Sequence, residues 1–432
     1  MSELEKNYSS PRWSGEYPDC SMPMTMDTYS NCSFGCIYCF SQYQRGIGKG
    51  ACSYFNKRVS SVNVEKIKSM FLNPDSTQFG EYIKKRKVFQ WGGLSDQFDD
   101  FEREHGVTLE LLRFFREIDY PISFSTKGVW WLDDERYTEL FKGNKNWNCK
   151  FSIITENSEN AKKIEVGVPS PLERLKAIEK FSNLEAGGAT LRLRPFIIGV
   201  SSKDYLSLIK NSYCAGSRAV STEFFCLETR NKNSIKKYKI ISDMAGFDIV
   251  SFYRQYSLGA GYLRLNRKIK APFVKNMKDL CEKLGMRFYV SDADFKDACH
   301  NGCCCGLPEN WNYSRGQLTE AICIAKKNGV VHFSDIEKEV EDIFSHFEWR
   351  KANGLNTGSA TNRAKSNGLK MSEYIRCSWN KPDESNSPYE IFRGSLEPLM
   401  DENGNIVYDE NNDIVYRYID RGNFFKKEPN NK

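Results

Sequence analysis

No stretch of this 432-residue chain is apolar for long enough to cross a bilayer, so no membrane span is expected. The opening residues Met1 to Arg12 are polar and lack the apolar core of an export signal. The expectation is a cytoplasmic protein whose fifteen cysteines are reduced thiols, which favours metal or redox chemistry over a disulfide framework. Strong charge of either sign is also missing. A formal net charge of +6 permits a polyanionic partner without requiring one. What is present is ample core material, with 40% hydrophobic and 13% aromatic residues. That suffices for one large domain with appendages, or for two domains.

A further absence marks the most informative stretch. Cys32-x3-Cys36-x2-Cys39 gathers three cysteines in eight residues, with Gly35 allowing the turn and Tyr38 directly before the last thiol. No fourth ligand follows at short range. A structural zinc site wants four closed ligands. A cluster with one iron left open to a substrate or cofactor suits three thiols better. Chance clustering and a zinc site completed from afar are the alternatives.

From Met24 to about Asn328 strands and helices alternate, as in a β/α fold. Strands are expected at Met24–Tyr29, Lys87–Trp91, Pro121–Ser125, Cys149–Thr155, Thr190–Pro195 and Ala219–Cys226. Helices are expected at Val64–Phe71, Thr108–Ile118, Asp133–Phe141, Ser170–Phe181 and Ser202–Ser212. Ser170-Pro171-Leu172-Glu173 is a helix start, with a Ser cap, Pro at the first helical position and Glu closing a capping box. Six such repeats favour a parallel sheet closed or nearly closed into a barrel, with its chemistry where the strands end. Those ends carry Cys32–Cys39, Gly92–Asp96, Thr126–Gly128, Thr155–Asn157, Arg194 and Glu223.

Between Glu228 and Lys268 the alternation loosens, and Arg230, Lys236, Lys237, Tyr238, Lys239, Tyr253, Arg254, Tyr262 and Arg264 interleave. Such mixing suits phosphate contacts with base stacking; a solvated basic surface is the alternative. A helix at Val274–Leu284 and a strand at Met286–Val290 lead to Cys299, Cys303, Cys304 and Cys305. Adjacent side chains diverge, so two of these with Cys299, or with the distant Cys281, Cys323 or Cys377, are candidate ligands of a second iron–sulfur centre. Thiol redox chemistry and a packed structural thiol group remain open. Further on are helices at Arg315–Lys327 and from Ser334 to about Phe347, a polar linker at Lys351–Asn367, and a near repeat of Asp401–Tyr408 as Asp409–Tyr416. Asn403-Gly404 is a hairpin signal, so the repeat is read as two short strands rather than a calcium site.

The cysteine loop, the glycine-ended second strand and the β/α repeats together resemble a radical S-adenosylmethionine enzyme. Within that superfamily, Gly93-Leu94-Ser95-Asp96-Gln97-Phe98-x3-Glu102-Arg103-Glu104 is similar to the spore photoproduct lyase-like branch, often labelled DNA repair photolyases. So are Ser123-Phe124-Ser125-Thr126-Lys127, Glu165–Ser170 with Pro171-x-Glu173-Arg174-Leu175, and Arg192-x-Arg194-Pro195-x-Ile197-Ile198-Gly199. The likeness covers about residues 24 to 226.

The resemblance implies an α/β fold with a partial (β/α)6 TIM-like barrel; the basic insert, the second cysteine cluster and the tail lie outside the likeness. Taken with the pattern along the chain, the expected division is an N-terminal extension at 1–23, the barrel at 24–295 with the basic insert at about 228–268, the second cysteine cluster at 296–309 and a C-terminal α+β accessory region at 310–432. It implies a [4Fe-4S] cluster on Cys32, Cys36 and Cys39, with S-adenosylmethionine chelating the open iron, and a reductant such as flavodoxin or ferredoxin. Gly92 and Gly93 would face the methionine amino group, Lys127 and Ser95 its carboxylate, Thr155 the ribose, and Tyr38 and Ile197 the adenine. No catalytic residue is assigned. In the resembled lyases a cysteine two positions before the matched serine and a tyrosine after the third cluster cysteine relay hydrogen; here they are Gly93 and Phe40. Modification of a base in DNA or RNA is therefore the expectation, rather than thymine-dimer repair. A peptide or small-metabolite substrate, and a non-enzymatic metal-stabilised nucleic-acid-binding protein, are the alternatives.

Overall fold

The computed structural model describes residues 4–14, 20–41, 58–229, 232–258, 262–340, 370–384 and 386–420. Arg230 and the linker at 351–367 lie outside the described residues, as does the end of the helix expected to reach Phe347. The chain divides into two compact units, one built on residues 25–68 and 90–288, the other on 12–24, 69–89 and 289–432. No described helix is long and apolar enough to cross a membrane.

Eight strands form one mostly parallel sheet whose spatial order follows the chain: β1 (Arg12–Trp13), β2 (Met24–Met26), β3 (Phe89–Trp91), β4 (Ile122–Thr126), β5 (Trp147–Ser152), β6 (Ala189–Phe196), β7 (Ala219–Phe224) and β8 (Arg287–Val290). Parallel ladders join β2 to β3, β4 to β5, β5 to β6 and β6 to β7. The six expected strands are all present, each within a few residues of its expected span. Closure is not: among the described residues the two ends of the sheet are not bonded to each other. The edge strands are short, β1 being two residues long, and offer few ladder groups.

In the first unit the period-2 alternation decides what each sheet face does. Trp91, Ile122, Phe124, Trp147, Phe151, Leu191 and Leu193 are all fully buried on one face. Their rings pack tightly, Trp91 stacking on Phe124 at 5.4 Å and Phe141 meeting Trp147 edge-on at 4.9 Å. Helices Val107–Glu117, Glu135–Phe141 and Pro171–Asn183 cover this face, the last starting with the Ser170 capping box read from the sequence. The opposite face is polar. Gln90 donates to Ser125 Oγ (2.9 Å), Lys150 donates to Gln90 Oε1, and Arg192 donates to Ser152 Oγ (3.3 Å). Parallel strands usually bury apolar side chains on both faces; here one face is reserved for polar groups, and Lys150 is only 2% exposed.

The loosened stretch after β7 is ordered. Helices Lys232–Ala245 and Ile249–Tyr256 pack together, and Tyr262–Leu265 pairs antiparallel with both Leu227–Glu228 and Ser257–Leu258. Helix Arg267–Lys283 starts well before the expected Val274, because Asn266 caps it by accepting from Ile269 N (3.1 Å) and it runs through Pro272.

The second unit mixes helices with a small sheet, and it draws on residues 12–24 and 69–89 as well as the C-terminal part of the chain. Helix Leu318–Asn328 accompanies a three-stranded sheet of Val330–Val331, Tyr416–Tyr418 and Leu396–Pro398. Trp379 is its buried centre, donating to Ile414 O (2.7 Å) and accepting at its own carbonyl from Tyr416 Oη (2.7 Å). Ser334 opens a short helix, Ser334–Glu337, whose cap position is Phe333. The acidic repeat differs from two strands. Asp401 Oδ1 accepts from Asn403 N (2.9 Å) and Asn405 N (2.8 Å), and Asp409 Oδ1 does the same with Asn411 N (2.9 Å) and Asp413 N (3.0 Å). Each loop closes on one bridge, Met400 to Ile406 and Tyr408 to Ile414. The carboxylates organise backbone turns.

Candidate functional site

The cysteine loop leaves the C-terminal end of β2 and is tied to three neighbouring βα loops of the same unit by buried carboxylates. Asp27, fully buried, accepts from Leu94 N (2.7 Å) and Ser95 N (3.0 Å), which joins the loops after β2 and β3. Ser95 Oγ donates to Tyr29 O at 2.8 Å. Asp96 accepts from Thr126 Oγ1 (2.7 Å) and Lys127 N (2.6 Å), joining the loops after β3 and β4. Asp99 caps helix Asp100–His105 and reaches the cysteine loop itself, accepting from Ser33 N at 2.6 Å. Burial pushes the Asp99 carboxyl up to about 8, against the pull of the Ser33 N–H.

Gly92 is where the loop after β3 turns. Its φ of +88° belongs to the left-handed region, and a Cβ there would meet Gln97 Oε1 at 2.2 Å and Ser125 O at 2.5 Å. Gly92→Ala should therefore destabilise the fold by about 1–3 kcal/mol from backbone strain alone, with the Gln97 displacement added. A urea-unfolding midpoint unchanged from wild type would contradict that placement.

The far side of the cysteine loop is held by Glu165. Gly35–Cys36 pairs antiparallel with Glu165–Val166, and Ile37 N donates to Ile164 O at 2.9 Å. The Glu165 carboxylate accepts from Tyr38 Oη and from Arg174 Nη2 (2.5 Å), with Lys127 Nζ 4.0 Å away. Burial alone would raise the Glu165 carboxyl, but the Arg174 and Lys127 charges hold it below its ordinary value. Lys127 is thus no surface lysine: its side chain is 14% exposed and its ammonium lies 5.7 Å from the Tyr38 ring centre.

Cys36 is buried, while Cys32 and Cys39 are half-buried. Burial pushes the Cys36 thiol up to about 12 and raises Cys32 as well, with Asp99 and Asp96 adding to the latter. Apolar neighbours wall the loop: Phe34, Tyr38, Ile154 and Ile197 belong to one buried cluster with Cys36. As they stand, no three Cys, His, Asp or Glu side chains among the described residues converge on a single point. The donor set still fits a thiolate-bound cluster, being three thiols on one turn walled by apolar side chains, with a lysine ammonium nearby and a glycine-opened backbone alongside.

Thr155 lies after β5, with its hydroxyl committed to Asp204 Oδ2 at 2.6 Å. Ile197 lies after β6, fully buried. Arg194 and Glu223 pair with each other on β6 and β7. In the insert, Tyr238 and Tyr253 are fully buried: Tyr238 Oη accepts from Glu228 N (3.1 Å) and Tyr253 Oη donates to Phe225 O (2.6 Å). They are core residues and offer no stacking surface. Lys239, Arg254 and Arg264 are exposed.

In the second unit, Cys299, Cys303, Cys304 and Cys305 share one loop. Cys303 and Cys305 pack against an apolar group of Met22, Val88, Leu307 and Trp311.

No family model matches the chain, and no curated protein does. Solved structures are similar to it, among them the following two. One is SuiB of Streptococcus suis bound to its precursor peptide SuiA, at 11% identity and a TM-score of 0.36, over 63% of this chain and 59% of that one. The other is a radical SAM methyltransferase from Sphaerobacter thermophilus, at 12% identity and a TM-score of 0.37, over 63% of this chain and 67% of that one.

Sequence reasoning gave no role to Asp27, Asp99, Glu102, Glu165 or Arg174. Four of them stand inside the segments quoted above, and Glu102 shows why such a segment holds together. Its buried carboxylate accepts from Tyr29 Oη (2.6 Å), Tyr137 Oη (2.6 Å), Thr108 N (2.7 Å) and Leu109 N (2.8 Å). That is a structural hub beneath the site.

Proposed function

We propose that this chain is a radical S-adenosylmethionine enzyme of the spore photoproduct lyase-like branch, with a [4Fe-4S] cluster on Cys32, Cys36 and Cys39. One observation carries it: a three-thiol loop at the end of a parallel strand is pinned by Asp99 to the loop after β3 and by a short ladder to Glu165–Val166, while Asp96 joins the loop after β3 to Lys127. When bound, the cluster and S-adenosylmethionine supply one-electron cleavage of the sulfonium and a 5′-deoxyadenosyl radical that takes hydrogen from substrate.

The protein's contribution is placement. Gly92 keeps the backbone after β3 open to a close-lying amino acid moiety, since any side chain there would strike Gln97. Lys127, oriented by Glu165, offers a cation towards a carboxylate. Tyr38 and Ile197 form an apolar wall that keeps water from a reactive intermediate. Gly93 and Phe40 replace the hydrogen relay of the resembled lyases, so thymine-dimer repair is not part of the proposal.

Reconstituted anaerobically with iron and sulfide, the chain should retain about one S-adenosylmethionine. Equilibrium dialysis with labelled cofactor reads this directly, and absence of retention overturns the proposal.

The finer reading is that the substrate is a base in nucleic acid. It is supported by the polar sheet face of Gln90, Lys150 and Arg192 and by exposed Lys239, Arg254 and Arg264. With Tyr238 and Tyr253 buried, binding rests on phosphate contacts more than on stacking. Retention on DNA or RNA should then fall steeply with salt, the log–log slope being about 0.9 per phosphate neutralised on duplex DNA. Binding that is absent, or indifferent to salt, leaves a peptide or small metabolite as the substrate.

A further inference from the structure

Seven of the fifteen cysteines take no part in the site above and fall within the second unit: Cys20, Cys299, Cys303, Cys304, Cys305, Cys323 and the exposed Cys377. Their surroundings sort them. Cys303 is fully buried among Met22, Val88, Leu307 and Trp311 and receives a hydrogen bond from Ser21 Oγ at 3.3 Å. Cys305 packs on the same group. Cys304, between them and also buried, is outside that apolar group, as expected of a side chain that diverges from its two neighbours.

The helix Leu318–Asn328 then brings in a thiol that the Cys299–Cys305 spacing does not contain. Lys326 Nζ donates to Asp297 O at 2.7 Å, and Glu320 Oε2 occupies the space a Cβ on Gly302 would need, at 1.8 Å. Cys323 lies midway between Glu320 and Lys326 on the same helix face. It therefore faces the 297–302 segment that carries Cys299. Burial raises the Cys323 thiol, with the neighbouring Cys299 adding to it, and burial raises the Cys299 thiol, with Cys304 adding to that rise. One further atom points to a ligand. Glu320 Oε1 pairs with Arg315 at 3.6 Å, but Oε2 is buried without a hydrogen-bond partner. A carboxylate oxygen buried in this way is costly unless something positive meets it.

We propose that Cys299, Cys304 and Cys323, with Glu320 as the fourth donor, hold a second metal centre. Of the candidates read from the sequence, this set keeps Cys299 and Cys304 of the loop and the distant Cys323, adds Glu320, and leaves Cys303 and Cys305 to packing. Three thiolates and one oxygen suit zinc or an iron–sulfur cluster. Binding releases the three thiol protons to solvent, with no change of oxidation state required at sulfur. No three of these donors converge on one point as they stand, so metal entry turns the side chains inward.

The proposal is independent of the Cys32–Cys39 centre, and the test keeps the two apart. The full-length chain with Cys32, Cys36 and Cys39 all changed to Ala is purified anaerobically and analysed for zinc, iron and sulfide. The result expected is about one zinc, or roughly four irons with matching sulfide, per chain. Adding Cys299→Ser or Cys323→Ser should remove that metal, while Cys305→Ser should keep it. A triple variant without metal, or a Cys323→Ser variant that keeps all of it, overturns the proposal. Thiol alkylation of the wild type guards against a variant that fails to fold. Cys299, Cys304 and Cys323 should become reactive only after chelator is added, whereas exposed Cys214 and Cys377 react at once. Labelling of the three that is indifferent to chelator also overturns it.

Discussion

Changing Cys36 to alanine removes the iron of the first centre and abolishes 5′-deoxyadenosine formation, at little cost in stability. The site has three thiols and no protein ligand in reserve, so two remaining cysteines cannot hold the cluster. The backbone that presents them is independent of the thiol: Gly35–Cys36 is held by its ladder with Glu165–Val166, Ser33 by Asp99, and Tyr38 by Glu165. Cys149→Ala is the control. That thiol is fully buried on β5 among apolar side chains, and its loss should leave iron content unchanged. Iron analysis and chromatography of the nucleoside separate the two cases. Wild-type iron in Cys36→Ala would contradict the ligand assignment.

Arg174→Ala has the second large effect, and it acts on the fold. Arg174 is fully buried, donating to Ser152 O (2.6 Å) and to Glu165 (2.5 Å). Removing it leaves the Glu165 carboxylate in the interior with Lys127, 4.0 Å away, as its nearest remaining cation. Breaking a buried pair in this way costs about 3–5 kcal/mol. Glu165→Gln introduced together with Arg174→Met removes both charges and should recover part of that loss, so a double-mutant cycle in urea reports the coupling. Unfolding midpoints for Arg174→Ala equal to wild type would show that the pair is not what fixes the loop.

The strands and helices of the first unit were legible because each states its face locally. Phe124, Trp147, Phe151 and Leu191 alternate with polar residues, and Ser170 to Glu173 carries its own cap. What was not legible depends on partners far apart in sequence. Tyr38 and Glu165 are 127 positions apart, and no local spacing reports their bond. Cys323 was one of three distant candidates, with Cys281 and Cys377, and its position opposite Cys299 follows only once Glu320 and Lys326 are seen to grip the 297–302 segment. Two expectations failed for a nearer reason. Tyr238 and Tyr253 interleave with basic residues and so suggested a stacking surface, but helix packing turned both rings inward. Asp401 and Asp409 suggested strands flanking a turn, but their carboxylates capture the backbone N–H groups that a ladder would have used.

The central claim is that Cys32, Cys36 and Cys39 support reductive cleavage of S-adenosylmethionine. It is tested most directly by mixing the anaerobically reconstituted chain with S-adenosylmethionine and dithionite and quantifying 5′-deoxyadenosine by chromatography with mass detection. The account predicts nucleoside release above the protein-free control, and none when the three cysteines are alanine. A wild-type chain that carries its iron and still forms no 5′-deoxyadenosine would contradict it.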